Sequence, residues 1–498
     1  MIAFIIFNLF FVVIGLSETD PPPAPVNSFA EFDISSGSLI SYNSYLTYGF
    51  GQPMSLIQDL AEDGILYILL PPNSQSNCEN ILENNGIDLN NVEFLPFNHD
   101  TYWTKNFGPY FVLDGNNEIG IVDFHYDRPD RPNDNAIPFH LAEHWGYNYF
   151  DSDIVHNGGN LMFDGFVTAS SSLLPYSENF GADVDQLMLD YYGTDSYLTV
   201  DDPWGNYHEH IDCWAKFLSS EKIIICQVPS THPQYDEMES VAEFYENQLN
   251  SFNEQYQIFR VYTPNGEPYA NSYILNDNVY VPTGFGQWDD EALEVFREAL
   301  PEYTVRGYSD YSYIATDALN CRVMNIPDFE AVRIIHNPLN DFPAPMDEYI
   351  VNASFIDLSG NGISNESLNL YWKNQFMDDY EVLLLNQIEY SEEFSAIIPE
   401  QPGDTPVHYY LEGGNTLGRI DRLPIAGYFE FYAFGGPGFA NGDINMDMVI
   451  NINDILLMVN HILNIYPISG YGLILADLNE DGTINVFDII QLVNIIMG

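Results

Sequence analysis

Through residues 29–336 the apolar positions come in short unbroken runs. GILYILLPP at 64–72, IGIVDF at 119–124, KIIICQVP at 222–229 and NVYVPTGF at 278–285 share this form. A run of that length bounded by a breaker predicts a strand covered on both faces. DDEALEVFREALP at 289–301 instead spaces its apolar residues as a helix does and stops at a proline. Strands alternating with helices predict an α/β domain over 29–336. From 337 to 436 the period changes to two. YIVNASFIDL, SLNLYWK, EYSEEFSAIIP, VHYYLEGG and GYFEFYAF are short alternating runs split by Gly, Pro, Asn and Asp. They predict an antiparallel β-sandwich.

The last segment, 442–498, contains an internal repeat. GDINMDMVININDILLMVNHIL starts at Gly442 and ADLNEDGTINVFDIIQLVNIIMG at Ala476. Each copy places oxygen donors at the spacing of an EF-hand-type calcium loop, followed by an amphipathic helix. The first copy offers Asp443, Asn445, Asp447, the Val449 carbonyl and Asp454; the second offers Asp477, Asn479, Asp481, the Thr483 carbonyl and Asp488. Two Ca²⁺ ions are the expected occupants. Gly482 supplies the sharp turn of the second loop, whereas Met448 stands at that point of the first. The first site is therefore expected to be the weaker.

The apolar run MIAFIIFNLFFVVIGLS at 1–17 predicts a secretory signal cleaved after Ser17, with a retained membrane anchor as the alternative, and a Pro-rich linker follows at 18–28. No later stretch has the length and apolarity of a bilayer span. An exported or cell-surface protein is the expectation. Charge sharpens the picture: 13 Lys plus Arg against 73 Asp plus Glu give a net charge of −60. Such a field repels nucleic acid and anionic membranes and favours cationic ligands. Four cysteines at irregular spacing in 498 residues do not describe a disulfide framework, so a thiol is free for chemistry.

Cys321 is the candidate nucleophile. It lies in ATDALNCR at 315–322, and the adjacent Arg322 is expected to favour its thiolate. Cys226 sits in an apolar run and reads as a core thiol; Cys78 lies in a polar, loop-like segment. HEHIDCW at 208–214 has two readings. His208, His210 and Cys213 have ligand chemistry for a metal. Alternatively His210 moves protons while Asp212 holds a cation. DTYWTKNFGPYFV at 100–112 offers the flat face of Trp103, and VHNGGNLMFDG at 155–165 offers close backbone approach at Gly158-Gly159.

Taken in order, WTKNFGP, DRPDRPNDNAIPF, VHNGGN, NYHEHIDCW, PYANSYIL and TDALNCR resemble the guanidino-group-modifying enzymes. The likeness is to bacterial peptidylarginine deiminases of the Porphyromonas type and, more distantly, to agmatine deiminases. The tail from 442 resembles a type I dockerin. The first resemblance implies a pseudo-fivefold α/β propeller around an acidic pocket, followed by an Ig-like β-sandwich. It implies Cys321 as nucleophile, His210 as acid/base, Asp212 as guanidinium ligand and Asn271 as a further active-site residue. Chemistry of this kind asks for no cofactor. Trp103 and the residue at 106 would wall the substrate, and Arg128, Arg131 and Tyr207 would hold the α-carboxylate of a C-terminal arginine. The family pattern is W-x-R-D-x-G-P, and this chain has Lys105 and Asn106 in its third and fourth places. The dockerin likeness implies a cohesin-like or cell-surface partner.

Three functions follow. The first is an exported deiminase converting C-terminal peptidyl arginine to citrulline and ammonia through a cysteine thiouronium. The second is a free-guanidine deiminase of the agmatine type. The third is an arginine-peptide-binding protein whose catalysis lapsed with Asn106.

Overall fold

The computed structural model describes residues 20–46, 49–205, 208–342, 345–403, 405–433, 441–445, 449–463, 468, 472–479 and 483–497. The expected signal segment lies outside them. The chain divides into two compact units, 1–329 and 330–498.

The first unit is mixed α/β, as the run pattern predicts. Its strands form five small sheets among the described residues, four of them repeating one scheme in chain order and the fifth reproducing it by pairing the two ends of the unit. A strand pairs antiparallel with its successor, and the successor pairs in parallel with a third strand. The third sheet shows it plainly: Ala215–Phe217 runs antiparallel to Lys222–Gln227, which runs parallel to Gln257–Tyr262. A parallel neighbour needs a crossover, and helix Tyr235–Glu246 supplies it. Helix Asp289–Ala299 does the same between Asn278–Pro282 and Thr304–Tyr308. Ile223, Ile224, Ile225 and Cys226 have no exposed surface, which is why that strand reads as an unbroken apolar run.

One sheet joins the two ends of the unit. Ser35–Ser41 pairs in parallel with Ile65–Leu69 on one side and antiparallel with Met324–Pro327 on the other. The strand that follows Cys321 is thus fastened to the first long strand of the chain. Two expectations change. Asn27–Ser28, placed in a linker, form a short strand on Val112–Leu113. Cys78, placed in a loop, lies on helix Gln75–Asn84, where it and Leu82 form the buried stripe of a mostly polar segment.

The second unit begins with Val332–Ile335, which pairs with Glu348–Asp357; this strand lies before the boundary at 336 expected from the sequence. Two antiparallel sheets share one core that includes Val351, Trp372, Tyr409 and Phe431. Strand Thr405–Gly414 alternates buried and half-buried side chains, as the period-two pattern requires. Helices Ile452–Ile462, Gly472–Ala476 and Val486–Met497 follow, packed around Ile444, Met458, Ala476 and Leu492.

Glu31 lies at the centre of the first unit. Its Oε2 accepts from Lys105 Nζ at 2.8 Å and its Oε1 from Lys216 Nζ at 2.5 Å. Ile274 N also donates to Oε1 at 3.2 Å, and Asn325 Nδ2 donates to the Glu31 carbonyl at 3.0 Å. Burial opposes the charge on this carboxylate, but the two ammonium groups outweigh it and hold the pKa below the ordinary glutamate value. Removing one member of a buried ionic cluster leaves the others uncompensated. Glu31→Gln is therefore expected to lower the unfolding free energy of the first unit by about 3–5 kcal/mol, measured by urea unfolding. A change within a few tenths of a kcal/mol would show that the cluster is solvated.

Candidate active site

Short turns between the sheets carry the candidate residues. Cys321 lies in the turn Asn320–Arg322, Asp212 in Ile211–Cys213, and Asn106 in the helical turn Thr104–Phe107. Thr104 Oγ1 donates to the Leu39 carbonyl at 3.1 Å and Phe107 is buried, so this last turn is pinned at both ends.

The Gly158-Gly159 loop sets the spacing. Asn157 accepts from Gly159 N at 3.0 Å and donates to Asp127 at 2.8 Å. Asn160 Oδ1 accepts from Ser172 N at 2.8 Å and Ile211 N at 3.3 Å, clamping the turn that holds Asp212. A Cβ on Gly158 would lie 2.1 Å from the Lys105 carbonyl oxygen. One on Gly159 would lie 2.6 Å from His210 Nδ1 and 2.9 Å from Asn106 Oδ1. Both glycines are thus required by close approach, and His210 and Asn106 are brought against the same backbone point.

Cys321, Asp212 and Asn271 are in direct contact. Cys321 Sγ lies 3.6 Å from Asp212 Oδ2, and Asn271 Nδ2 donates to Sγ at 3.3 Å and to the Asp212 carbonyl at 3.1 Å. Asn320 Nδ2 donates to Asp212 Oδ2 at 3.1 Å. Two buried polar atoms of this group, His210 Nε2 and Asn106 Oδ1, have no hydrogen-bond partner among the described residues. Unsatisfied buried atoms are rare and mark places where a ligand or water completes the bonding.

Burial decides the protonation states. It pushes the Cys321 thiol well above its ordinary pKa, with Asp212 and Asp317 adding to the rise. It also drives His210 well below the usual histidine value, helped by His208, Arg128 and His156. Asp212 is raised by burial against the pull of Asn320, Lys216, Lys105 and Cys321. Thiol and imidazole are both neutral at pH 7, and the pocket presents one carboxylate.

Arg322 does not serve the thiol as its adjacency suggests. Its guanidinium forks onto Asp317, with Nε–Oδ1 at 2.8 Å and Nη2–Oδ2 at 2.5 Å. Asp317 also accepts from Trp103 Nε1 at 2.9 Å and Tyr102 Oη at 3.3 Å. The charge of Arg322 is spent on this carboxylate and on the rings of Tyr102 and Tyr311, 4.7 and 5.0 Å away. The correction is physical: a guanidinium points where its long stem reaches, not where its Cα neighbour lies. Its place is structural, fixing Trp103 beside the nucleophile's turn.

Arg128 pairs locally with Asp127. Arg131 forms no ion pair among the described residues; it donates to Tyr126 Oη at 2.9 Å and lies 4.7 Å above the Trp103 ring. Tyr207 lies outside the described residues. His208 and His210 have ring centroids 5.6 Å apart, while Cys213 is buried beside Trp214 with its Sγ 3.7 Å from Asp212 Oδ1. Sequence reasoning passed over Glu31, Lys216, Asn320, Asn160 and Asp317. One signal was available: the chain has only four lysines, and two of them are buried here.

In the terminal repeat, Asp454 Oδ1 accepts from Ile444 N at 2.7 Å and Asn445 N at 3.2 Å, and Oδ2 from Asn451 N at 2.8 Å. Asp488 repeats the arrangement with Asn479 N at 3.2 Å and Asn485 N at 2.9 Å. Both closing carboxylates are fully buried in their loops. Asp447, Asp481, Gly482 and Met448 lie outside the described residues.

Residues 51–327 match the sequence model of the family described as Porphyromonas-type peptidyl-arginine deiminase. Residues 441–497 match the dockerin type I domain. A protein of Legionella pneumophila named "Putative agmatine deiminase" is 22% identical over 262 residues, which cover 48% of this chain and 74% of that protein. One of the same name from Selenomonas ruminantium is 21% identical over 301 residues, covering 51% and 80%. Among solved structures, the agmatine deiminase of Enterococcus faecalis superposes with a TM-score of 0.53 at 16% identity, over 63% of this chain and 98% of that one. The agmatine deiminase of C. jejuni superposes with a TM-score of 0.51 at 18% identity, over 61% and 96%. At these identities the structures establish a shared fold.

The glycine contacts yield a test. Gly159→Ala forces its Cβ toward His210 and Asn106 while leaving the sheets untouched. Since an ångström of misplacement in a reacting array costs about 100-fold, kcat/KM should fall by at least that factor with unfolding unchanged. Wild-type turnover in this variant would remove His210 and Asn106 from the site.

Proposed function

Since the chain belongs to the Porphyromonas-type peptidyl-arginine deiminase family, whose members hydrolyse C–N bonds of guanidino groups, we propose that it deiminates C-terminal peptidyl arginine to citrulline and ammonia. The observation that carries this reading is the contact set of Cys321, Asp212 and Asn271, together with the buried His210 Nε2 and Asn106 Oδ1 that lack a partner among the described residues. The five sheets with their repeated scheme support a pseudo-fivefold propeller, and the two antiparallel sheets of the second unit support an Ig-like sandwich.

Asp212 receives the guanidinium through charge-assisted hydrogen bonds, and the Asn106 carbonyl oxygen accepts one further N–H. The arriving cation offsets the burial and the aspartates that keep Cys321 protonated. The thiol gives up its proton and Sγ bonds to the guanidinium carbon. His210, neutral in the resting site, takes a proton and returns one to the departing nitrogen, so the C–N bond breaks with release of ammonia. Water activated by the same imidazole attacks the thiouronium; the C–S bond breaks, leaving the ureido product and the thiol. Arg131, free of any carboxylate partner among the described residues and stacked on Trp103, suits the α-carboxylate of the substrate.

Purified protein should be given a C-terminal-arginine peptide, its C-terminal amide and agmatine, with ureido product measured. The peptide acid is expected to be turned over with KM well below that of the amide, and Cys321→Ala should abolish product from every substrate. Equal kinetics for acid and amide would favour a free-guanidine deiminase. No product from any of the three would favour a binding protein.

The tail reads as a calcium-dependent tether for a cohesin-like partner outside the cell, in keeping with the apolar run at 1–17. Its donors are all oxygens, the set a hard cation takes, and Asp454 and Asp488 are held alike in the two copies. Among the described residues no helix is long and apolar enough to cross a membrane. Ca²⁺ would neutralise carboxylates that otherwise repel one another, so chelation is expected to unfold residues 442–498. Ureido formation should survive the same treatment. Loss of activity in EDTA, restored by Ca²⁺, would place a metal in the first unit as well.

A further inference from the structure

Asp212 lines a cavity of about 50 Å³ whose polar wall also includes Glu31, Lys105, Lys216, Asn320 and Asn325. Lys105 and Lys216 are 7% and 5% exposed, so their charges are felt with little screening from solvent. They share one carboxylate, Glu31, which leaves the cluster with one uncompensated positive charge. Asn320 faces this cluster and the active site at once. Its Oδ1 accepts from Lys216 Nζ at 3.2 Å and its Nδ2 donates to Asp212 Oδ2 at 3.1 Å. The lysine can only donate, so it fixes which end of the amide points to the carboxylate.

We propose that the Lys105–Glu31–Lys216 cluster, acting through the Asn320 amide, is a positioning device that keeps Asp212 ionised and oriented toward the substrate. The surplus positive charge of the cluster and the negative charge of Asp212 balance. Asn106, where the family pattern has aspartate, adds no second anion, so one carboxylate performs the cation-binding task. The other groups facing Asp212 are the thiols of Cys321 and Cys213 and the phenol of Tyr110. His210 stands two residues before it. Burial favours the neutral acid and raises the pKa of Asp212; the Asn320 amide first, and then the two lysines, oppose that rise. Lys216 and Asn320 are positioning residues in this scheme; neither touches the reacting carbon.

The proposal rests on Asp212 as the guanidinium ligand, and its test separates the two readings. The titration of Asp212 is taken as the difference in proton uptake between each full-length protein and its Asp212→Asn counterpart, which needs no substrate. Lys216→Met should raise the midpoint by about one pH unit. Lys216→Arg should hold it near the parent value, and Asn320→Ala, which keeps every charge and removes the bridging amide, should raise it at least as much as Lys216→Met. Binding of a C-terminal-arginine peptide to the Cys321→Ala protein should weaken on acidification, and the midpoint of that loss should rise when Lys216→Met is added. A structural role alone would reduce affinity by one factor at every pH. Equal midpoints in the parent and Lys216→Met would overturn the proposal. Shifted midpoints with no binding of the peptide at any pH would uphold the electrostatic assignment and overturn the deiminase reading.

Discussion

Glu31 is the contact on which the first unit depends. Its side chain and carbonyl receive Lys105 from the Asn106 turn, Lys216 from the third sheet, Ile274 from the fourth and Asn325 from the strand after Cys321. Small sheets of three or four strands do not bury enough by themselves to fix the turns between them to the precision a reacting site demands. A buried carboxylate removes that freedom, because every unpaired arrangement leaves a bare charge in a poorly polarisable interior. Its contribution lies more in selecting one arrangement than in adding net stability, since desolvation offsets much of the Coulomb attraction. The turns of Asn106, Asp212 and Cys321 are adjacent because residues near each of them bond to oxygens of the same glutamate.

The same reasoning explains the protonation pattern. Cys321 and His210 are both held neutral by burial, one by a raised pKa and the other by a lowered one. A site of neutral nucleophile, neutral base and a single carboxylate is stable without a ligand and incomplete toward a cation. The thiolate is costly until a positive charge arrives and is favoured once it does. Arg322 illustrates the rule from the other side. It stands next to Cys321 in sequence, but its charge is consumed by Asp317, so it leaves the thiol protonated and instead secures Trp103.

Much of the fold was legible because its strands are covered on both faces. Lys222–Gln227 and Asn278–Pro282 announced themselves as apolar runs, and Thr405–Gly414 by its alternation. The helix Gln75–Asn84 was not legible, because only Cys78 and Leu82 of its ten residues are buried and the rest carry no apolar period. Of the site, the cysteine, histidine and aspartate were readable as chemistry that needs those side chains. Glu31, Lys216 and Asn320 were not, since each belongs to the site only through a partner more than 50 residues away.

Asn106 shows where local reading and three-dimensional context part. In the sequence it is the loss of a carboxylate from a recognised pattern. In the fold it stands beside Lys105, itself a change from that pattern, and Lys105 is bonded to Glu31. An aspartate at 106 would bring a second anion into the buried site where burial already favours protonation, so the two carboxylates would raise each other's pKa. With asparagine there, the wall keeps an acceptor oxygen for one N–H of the ligand, and Asp212 shares the field of the lysine pair with no competing anion. The substitution removes one attraction for the substrate and lowers the cost of ionising the carboxylate that remains. Loss of a family residue is therefore not by itself loss of function; its effect is set by the charges it leaves behind.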